Sequence, residues 1–138
     1  MKRLFALLLT FVIGTSLSSC YTQKERSYYA DKNNYITATG TVVHIRCNQE
    51  QDALYLAFED LDYPFSDPNF KIVGKNLEVV QSNGIDEFLQ LGDTVSFTAA
   101  PKYFGDGYVI PLVEVTVAGQ TLLSFDDGFH NLQNWLKE

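Results

Sequence analysis

Hydrophobic and polar positions alternate with a period of two along most of this chain, and the points where the alternation changes parity organise it. Residues 35–47 are rich in Thr, Val and Ile, which suit a pleated, half-buried surface. Before Gly40 the apolar positions are Ile36 and Ala38; after it they are Val43, Ile45 and Cys47, with Val42 between. One extra residue swaps the faces of a strand, so a parity change at a glycine predicts a bulge or sharp bend there. The stretch reads as one long, bent strand serving two faces of a small barrel. Cys47 closes its apolar set and reads as a small buried hydrophobe.

Residues 48–52 form a polar turn, after which Ala53–Glu59 alternates cleanly. Leu54, Leu56 and Phe58 fall on one face, Tyr55 and Ala57 on the other, as expected for a hairpin partner of the first strand. Pro64 and Pro68 mark residues 60–69 as a loop, and residues 70–73 as a short third strand. The period then changes. Leu77, Val80, Ile85, Phe88 and Leu89 recur at helical spacing, predicting a helix over 76–82 and a further helical turn over 86–90. Gly92-Asp93 turns into Thr94–Ala99, with Val95, Phe97 and Ala99 inward, and Gly105-Asp106-Gly107 makes the next hairpin turn. In the fifth strand, 108–117, the inward set passes from Ile110 and Leu112 to Val113, Val115 and Val117, which marks Pro111 as a second bulge or an edge position.

Ala118-Gly119 turns into a short returning strand, Gln120–Leu123. Ser124 is the N-cap of a last helix over 125–137, with Asp126 and Asp127 at the positive end of its dipole. Helix capping accounts for that carboxylate pair without a metal. Phe125, Phe129, Leu132, Trp135 and Leu136 share one helix face, and Gly128 weakens the helix by about 1 kcal/mol relative to alanine, so the helix depends on docking that face.

Three strands, a helix and two further strands, with a bent, glycine-bearing first strand, resemble the OB-fold. The run Leu91-Gly92-Asp93-Thr94-Val95-Ser96-Phe97 looks like the usual start of the fourth strand in that family. The resemblance implies a mainly β domain: an OB-fold-like, five-stranded Greek-key barrel with a helix between strands three and four, capped here by the C-terminal helix. It also implies a ligand surface across strands two and three and their flanking loops. On this chain that surface comprises the turn 48–52, Tyr55, Lys71, Lys102, Tyr103, Phe104 and Tyr108. The rings beside the glycine turn, Tyr103, Phe104 and Tyr108, would make a stacking platform for a sugar, a base or a peptide. Members of the fold bind nucleic acids, oligosaccharides and proteins, so the fold by itself selects no ligand.

The N-terminus is a processing signal. Met1-Lys2-Arg3 is basic, residues 4–13 are apolar but for Thr10, and 14–19 are small or polar. An apolar run of about ten residues is shorter than the ~20 needed to cross a hydrocarbon core. Leu17-Ser18-Ser19-Cys20 resembles the lipobox of bacterial lipoproteins. The resemblance implies cleavage before Cys20, a diacylglycerol on its thiol and further acylation, such as palmitate, on its amine. Residues 1–19 are then a lipoprotein signal peptide, 20–34 a lipidated tether and 35–138 the domain, held outside the cytoplasm on a bacterial membrane. Tyr28 and Tyr29 could dock on that domain. Tyr21 lacks the aspartate that retains lipoproteins at an inner membrane, which in a two-membrane envelope implies the outer one.

Without Lys2 and Arg3, 8 basic residues face 17 acidic ones, a net charge of −9. Phosphate backbones repel such a surface unless its cations cluster, which disfavours nucleic acid and favours a protein or glycan partner. Single-stranded nucleic acid, the usual ligand of the fold, remains the alternative. The loop carrying Asp60, Asp62 and Asp67 offers oxygens for calcium, without EF-hand spacing and with solvation as a sufficient account of its charge. Two histidines and no nucleophile elbow, zinc-protease, phosphate-loop or Cys-x-x-Cys motif point to a binding module rather than an enzyme.

Overall fold

The computed structural model describes residues 22–50, 52–65, 69–102 and 109–138. It is mainly β, with six strands: β1 (Ile36–Asn48), β2 (Ala53–Glu59), β3 (Asn69–Val73), β4 (Thr94–Ala99), β5 (Val109–Val117) and β6 (Gln120–Leu123). Among the described residues four α-helices accompany them: α1 (Gln23–Ala30), α2 (Lys75–Ser82), the short α3 (Ile85–Phe88) and α4 (Phe125–Leu136), with a single 3-10 turn at Lys32–Asn34. The strands lie in the order β3-β2-β1-β4-β5-β6, and β3 also pairs with β5. That last pairing is parallel, the others antiparallel, and it closes β1 to β5 into a ring with β6 outside on β5.

β1 has two partners in succession: residues 36–41 pair with β4, and 41–48 with β2. The register shift falls between Val42 and His44, two residues beyond the glycine that the sequence pattern pointed to. Val42 is where the strand changes neighbours. Its N–H donates to the Asp93 carbonyl at 2.9 Å, and its own carbonyl accepts from Gly92 at 2.8 Å. Gly40 serves a different need. A Cβ there would lie 2.7 Å from Leu61 Cδ2 and 2.8 Å from Phe58 Cβ, so only glycine lets these side chains cross the strand. The second bulge also lies further on than expected. Thr98 pairs with Glu114 and Ala99 with Leu112, which leaves Val113, not Pro111, as the extra residue.

Cys47 is a correction as well: it is exposed. It stands opposite buried Leu54, but in the part of β1 that has left β4 behind, so it has a strand on one side only.

Two cores result. The first fills the ring, where Phe58 stacks on Phe97 at 4.8 Å between centroids and Phe65 and Phe70 meet them edge-on or tilted. Leu77 and Val80 of α2 and Ile85 of α3 belong to it. The second lies outside the ring, where Val113 meets Leu132 and Leu136 of α4 and Tyr29 of α1. The bulge that displaces Val113 thus supplies the seat of the C-terminal helix. Ser124 caps that helix by accepting from the Asp127 N–H at 3.3 Å.

The segment expected to be a tether is α1. Its polar sequence carries no apolar stripe; Thr22 caps it by accepting from the Glu25 N–H, and Tyr29, 4% exposed, anchors it with Tyr28 packed beside it. Gln133 and Tyr35 both donate to the Tyr29 carbonyl, at 2.8 and 2.6 Å. Among the described residues no helix is long and apolar enough to cross a membrane.

Candidate ligand face on β1, β2 and β3

Alternation past the β1 bulge sends His44, Arg46 and Asn48 outward, together with Tyr55 and Ala57 of β2 and Asn69 and Lys71 of β3. The register joins them into rows. Arg46 stands opposite Tyr55, and Tyr55 opposite Lys71, while His44, Ala57 and Asn69 form the next row. Directly opposed side chains lie close enough to interact across a sheet. The Arg46 guanidinium sits 5.2 Å from the Tyr55 ring centroid. Lys71 Nζ lies 5.1 Å from the Trp135 ring, which α4 brings to the end of the row. Each such cation–ring contact contributes about 0.5–2 kcal/mol, more as water is excluded.

Lys71 is half-buried beneath the indole, and this desolvation lowers its pKa below the usual lysine value. A partly desolvated cation exerts a stronger field on an approaching group than one in open water. The face therefore presents two cations and two rings in alternation, on an acidic protein. It can hold a polar or anionic partner through Arg46 and Lys71 while a planar group rests on Tyr55.

Of the residues singled out from the sequence, Tyr55 and Lys71 are brought together. Lys102 is not with them. Its backbone N–H donates to the Tyr28 hydroxyl at 3.0 Å, its carbonyl accepts from the Tyr29 hydroxyl at 3.2 Å, and its ammonium lies 5.9 Å from the Tyr28 ring. It joins α1 to the end of β4. Tyr103, Phe104 and Tyr108 lie outside the described residues, as do Asp67 and Cys20. Val109, where description resumes, pairs with Asn69 at the edge of the face.

Arg46 and Trp135 were missed. Arg46 was legible, because a turn over 49–52 pairs Asn48 with Ala53 and hence Arg46 with Tyr55. Trp135 was read as part of the packing face of its helix, and only the docking of α4 shows that its indole also covers Lys71.

Asp60 and Asp62 sit in the β2–β3 connection, which Phe65, 1% exposed, fastens into the ring. The Phe65 N–H donates to the Asp62 carbonyl at 2.9 Å. Among the described residues no group of three or more His, Cys, Asp or Glu is placed to hold a metal ion. His130 is exposed and within hydrogen-bond distance of Asn134.

Compared with family models, curated proteins and solved structures, the chain matches none of them.

Proposed function

We propose that this chain is a lipid-anchored, extracytoplasmic binding module of the OB type, non-enzymatic, which takes a protein or glycan partner across β1, β2 and β3. The observation that carries the reading is the row Arg46–Tyr55–Lys71, aligned by register across three strands and ended by Trp135. The OB assignment is supported by the ring order β1-β2-β3-β5-β4, by its parallel β3–β5 closure and by the placing of α2 and α3 between β3 and β4. Anchoring rests on the lipobox at Cys20.

The test is an amide-shift titration of residues 21–138 with glycan fragments. Binding would move the amides of His44, Arg46, Tyr55 and Lys71, and Tyr55→Ala would weaken it at least tenfold. Shifts elsewhere, or affinity unchanged in Tyr55→Ala, would remove the ligand from this face. Anchoring is read separately, by the mass of the N-terminal peptide and its loss of acyl chains in Cys20→Ser.

A second reading is favoured by the same alternation of cations and rings, which suits stacked bases and their phosphates. A single-stranded oligonucleotide would bind with a steep loss of affinity as salt rises. An oligonucleotide that moves no amide at low salt leaves the protein or glycan reading in place.

A further inference from the structure

A crevice lies between the first and last helices. Gln23, Arg26 and Ser27 fall on one face of α1, and Gln133, Leu136 and Lys137 on one face of α4 or at its end. The space between them is about 280 Å³. Among the described residues that line it two are cations and none is a carboxylate, in a chain whose acidic residues outnumber its basic ones by 17 to 10. Arg26 carries a second mark. Its Nε is buried and has no hydrogen-bond partner among the described residues. A buried donor of this kind costs about 1–3 kcal/mol, more when it belongs to a charged group. Gln23 and Ser27, exposed on α1, offer further donors around the same space.

The crevice also lies close to the start of the domain. From Cys20 to Gln23 is three residues, at most about 11 Å of extended chain. A lipid on Cys20 would therefore hold this crevice near the plane of the headgroups. The carbonyls at the end of α4 oppose an anion, although Lys137 and Glu138 N–H groups occupy those of Asn134 and Trp135 at 3.2 Å each. Both cations are needed to overcome that opposition.

We propose that the α1–α4 crevice is a phosphate site, held by Arg26 and Lys137, that takes the headgroup of an anionic phospholipid and fixes the orientation of the tethered domain. Its biological setting rests on the lipoprotein reading of Cys20; its chemistry does not. The binding orients a domain whose remaining surface is acidic and would otherwise stand off from the membrane.

The experiment uses residues 21–138 without lipid, sedimented at low salt with vesicles of phosphatidylglycerol in phosphatidylcholine, or of phosphatidylcholine alone. The expected result is binding that requires phosphatidylglycerol, falls at least fivefold in Arg26→Gln and at least twofold in Lys137→Gln, and is unchanged in Lys75→Gln, an exposed charge on α2. Lys137 is exposed, so its variant reads the site even if Arg26→Gln perturbs folding. Absence of binding, or binding that neither variant weakens, would overturn the proposal. Amide shifts at Arg26 and Gln133 with inorganic phosphate, but no vesicle binding, would overturn the headgroup and assign the site to a soluble phosphate. The acylation of Cys20 is measured independently by mass. Acylated Cys20 without vesicle binding removes the crevice alone, and unacylated Cys20 with Arg26-dependent binding removes the anchor alone.

Discussion

Gly128 of α4 lies on the backbone of Val113 in β5, so close that a methyl group on it would overlap the Val113 carbonyl oxygen and sit 2.9 Å from the Val113 Cα. The extra residue of the β5 bulge and the one glycine of the helix meet face to face. Helix propensity alone makes Gly128 a weakness, and alanine would restore about 1 kcal/mol to an isolated helix. In the folded chain the sign reverses, because the neighbour is backbone and cannot step aside.

Gly128→Ala is therefore expected to destabilise the protein by about 3 kcal/mol, the upper part of the range for overpacking. Urea unfolding of residues 21–138 measures this. A gain in stability would show that α4 does not ride on the bulge.

The same helix is held to α2 by a buried amide pair. Asn76, 1% exposed, donates to the Gly128 carbonyl at 3.0 Å, and its own oxygen accepts from Asn131 Nδ2 at 3.0 Å. Asn76→Ala strips both partners of their bond and is expected to cost about 3 kcal/mol. Asn131→Ala leaves the bond to Gly128 intact and should cost roughly half as much. Urea midpoints that rank the two in the reverse order would place the anchor on Asn131 instead.

Stability at alkaline pH depends on Tyr35. Burial raises its pKa first, and the neighbouring phenols of Tyr29 and Tyr28 raise it further. Its hydroxyl donates to the Tyr29 carbonyl at 2.6 Å. Above the ordinary phenol value of 10.0 the unfolded chain releases this proton while the folded chain keeps it. The unfolded state then binds fewer protons, so stability is fully present below pH 10 and falls as pH rises beyond it. Tyr28, raised by its own burial, adds to the same fall. In Tyr35→Phe, unfolding free energy is expected to be lower by about 1 kcal/mol at pH 7 and to decline less steeply above pH 10. A slope identical to that of the parent would assign the alkaline loss to other groups.

Cys47 is exposed, and it is expected to react fully with a thiol reagent in the native protein, without denaturant. Protection until the chain unfolds would mean that β1 is covered at its hairpin end.

The element order, most strand limits and both inward sets were legible in the sequence because a strand or helix with one buried face must repeat at period 2 or 3.6. Ala53–Glu59, Thr94–Ala99 and Gln120–Leu123 fall where alternation puts them. The cap at Ser124 was legible for a similar reason, since its partner is three residues away. Tyr55 and Lys71 could be set side by side once strand order was assumed, because register follows from a short turn.

The tertiary structure decided what depends on partners far away in the chain. Alternation shows that parity changes but not which residue is extra; that choice belongs to the neighbouring strand, so the bulges lie at Val42–His44 and Val113 rather than at Gly40 and Pro111. α1 has no apolar stripe to announce it, because two adjacent rings, Tyr28 and Tyr29, carry its docking. Cys47 is exposed because β1 has lost a neighbour there, and Trp135 covers Lys71 because α4 returns across the sheet. Local spacing determined the elements; contacts between residues remote in sequence determined which side chains share a face, and so what that face can bind.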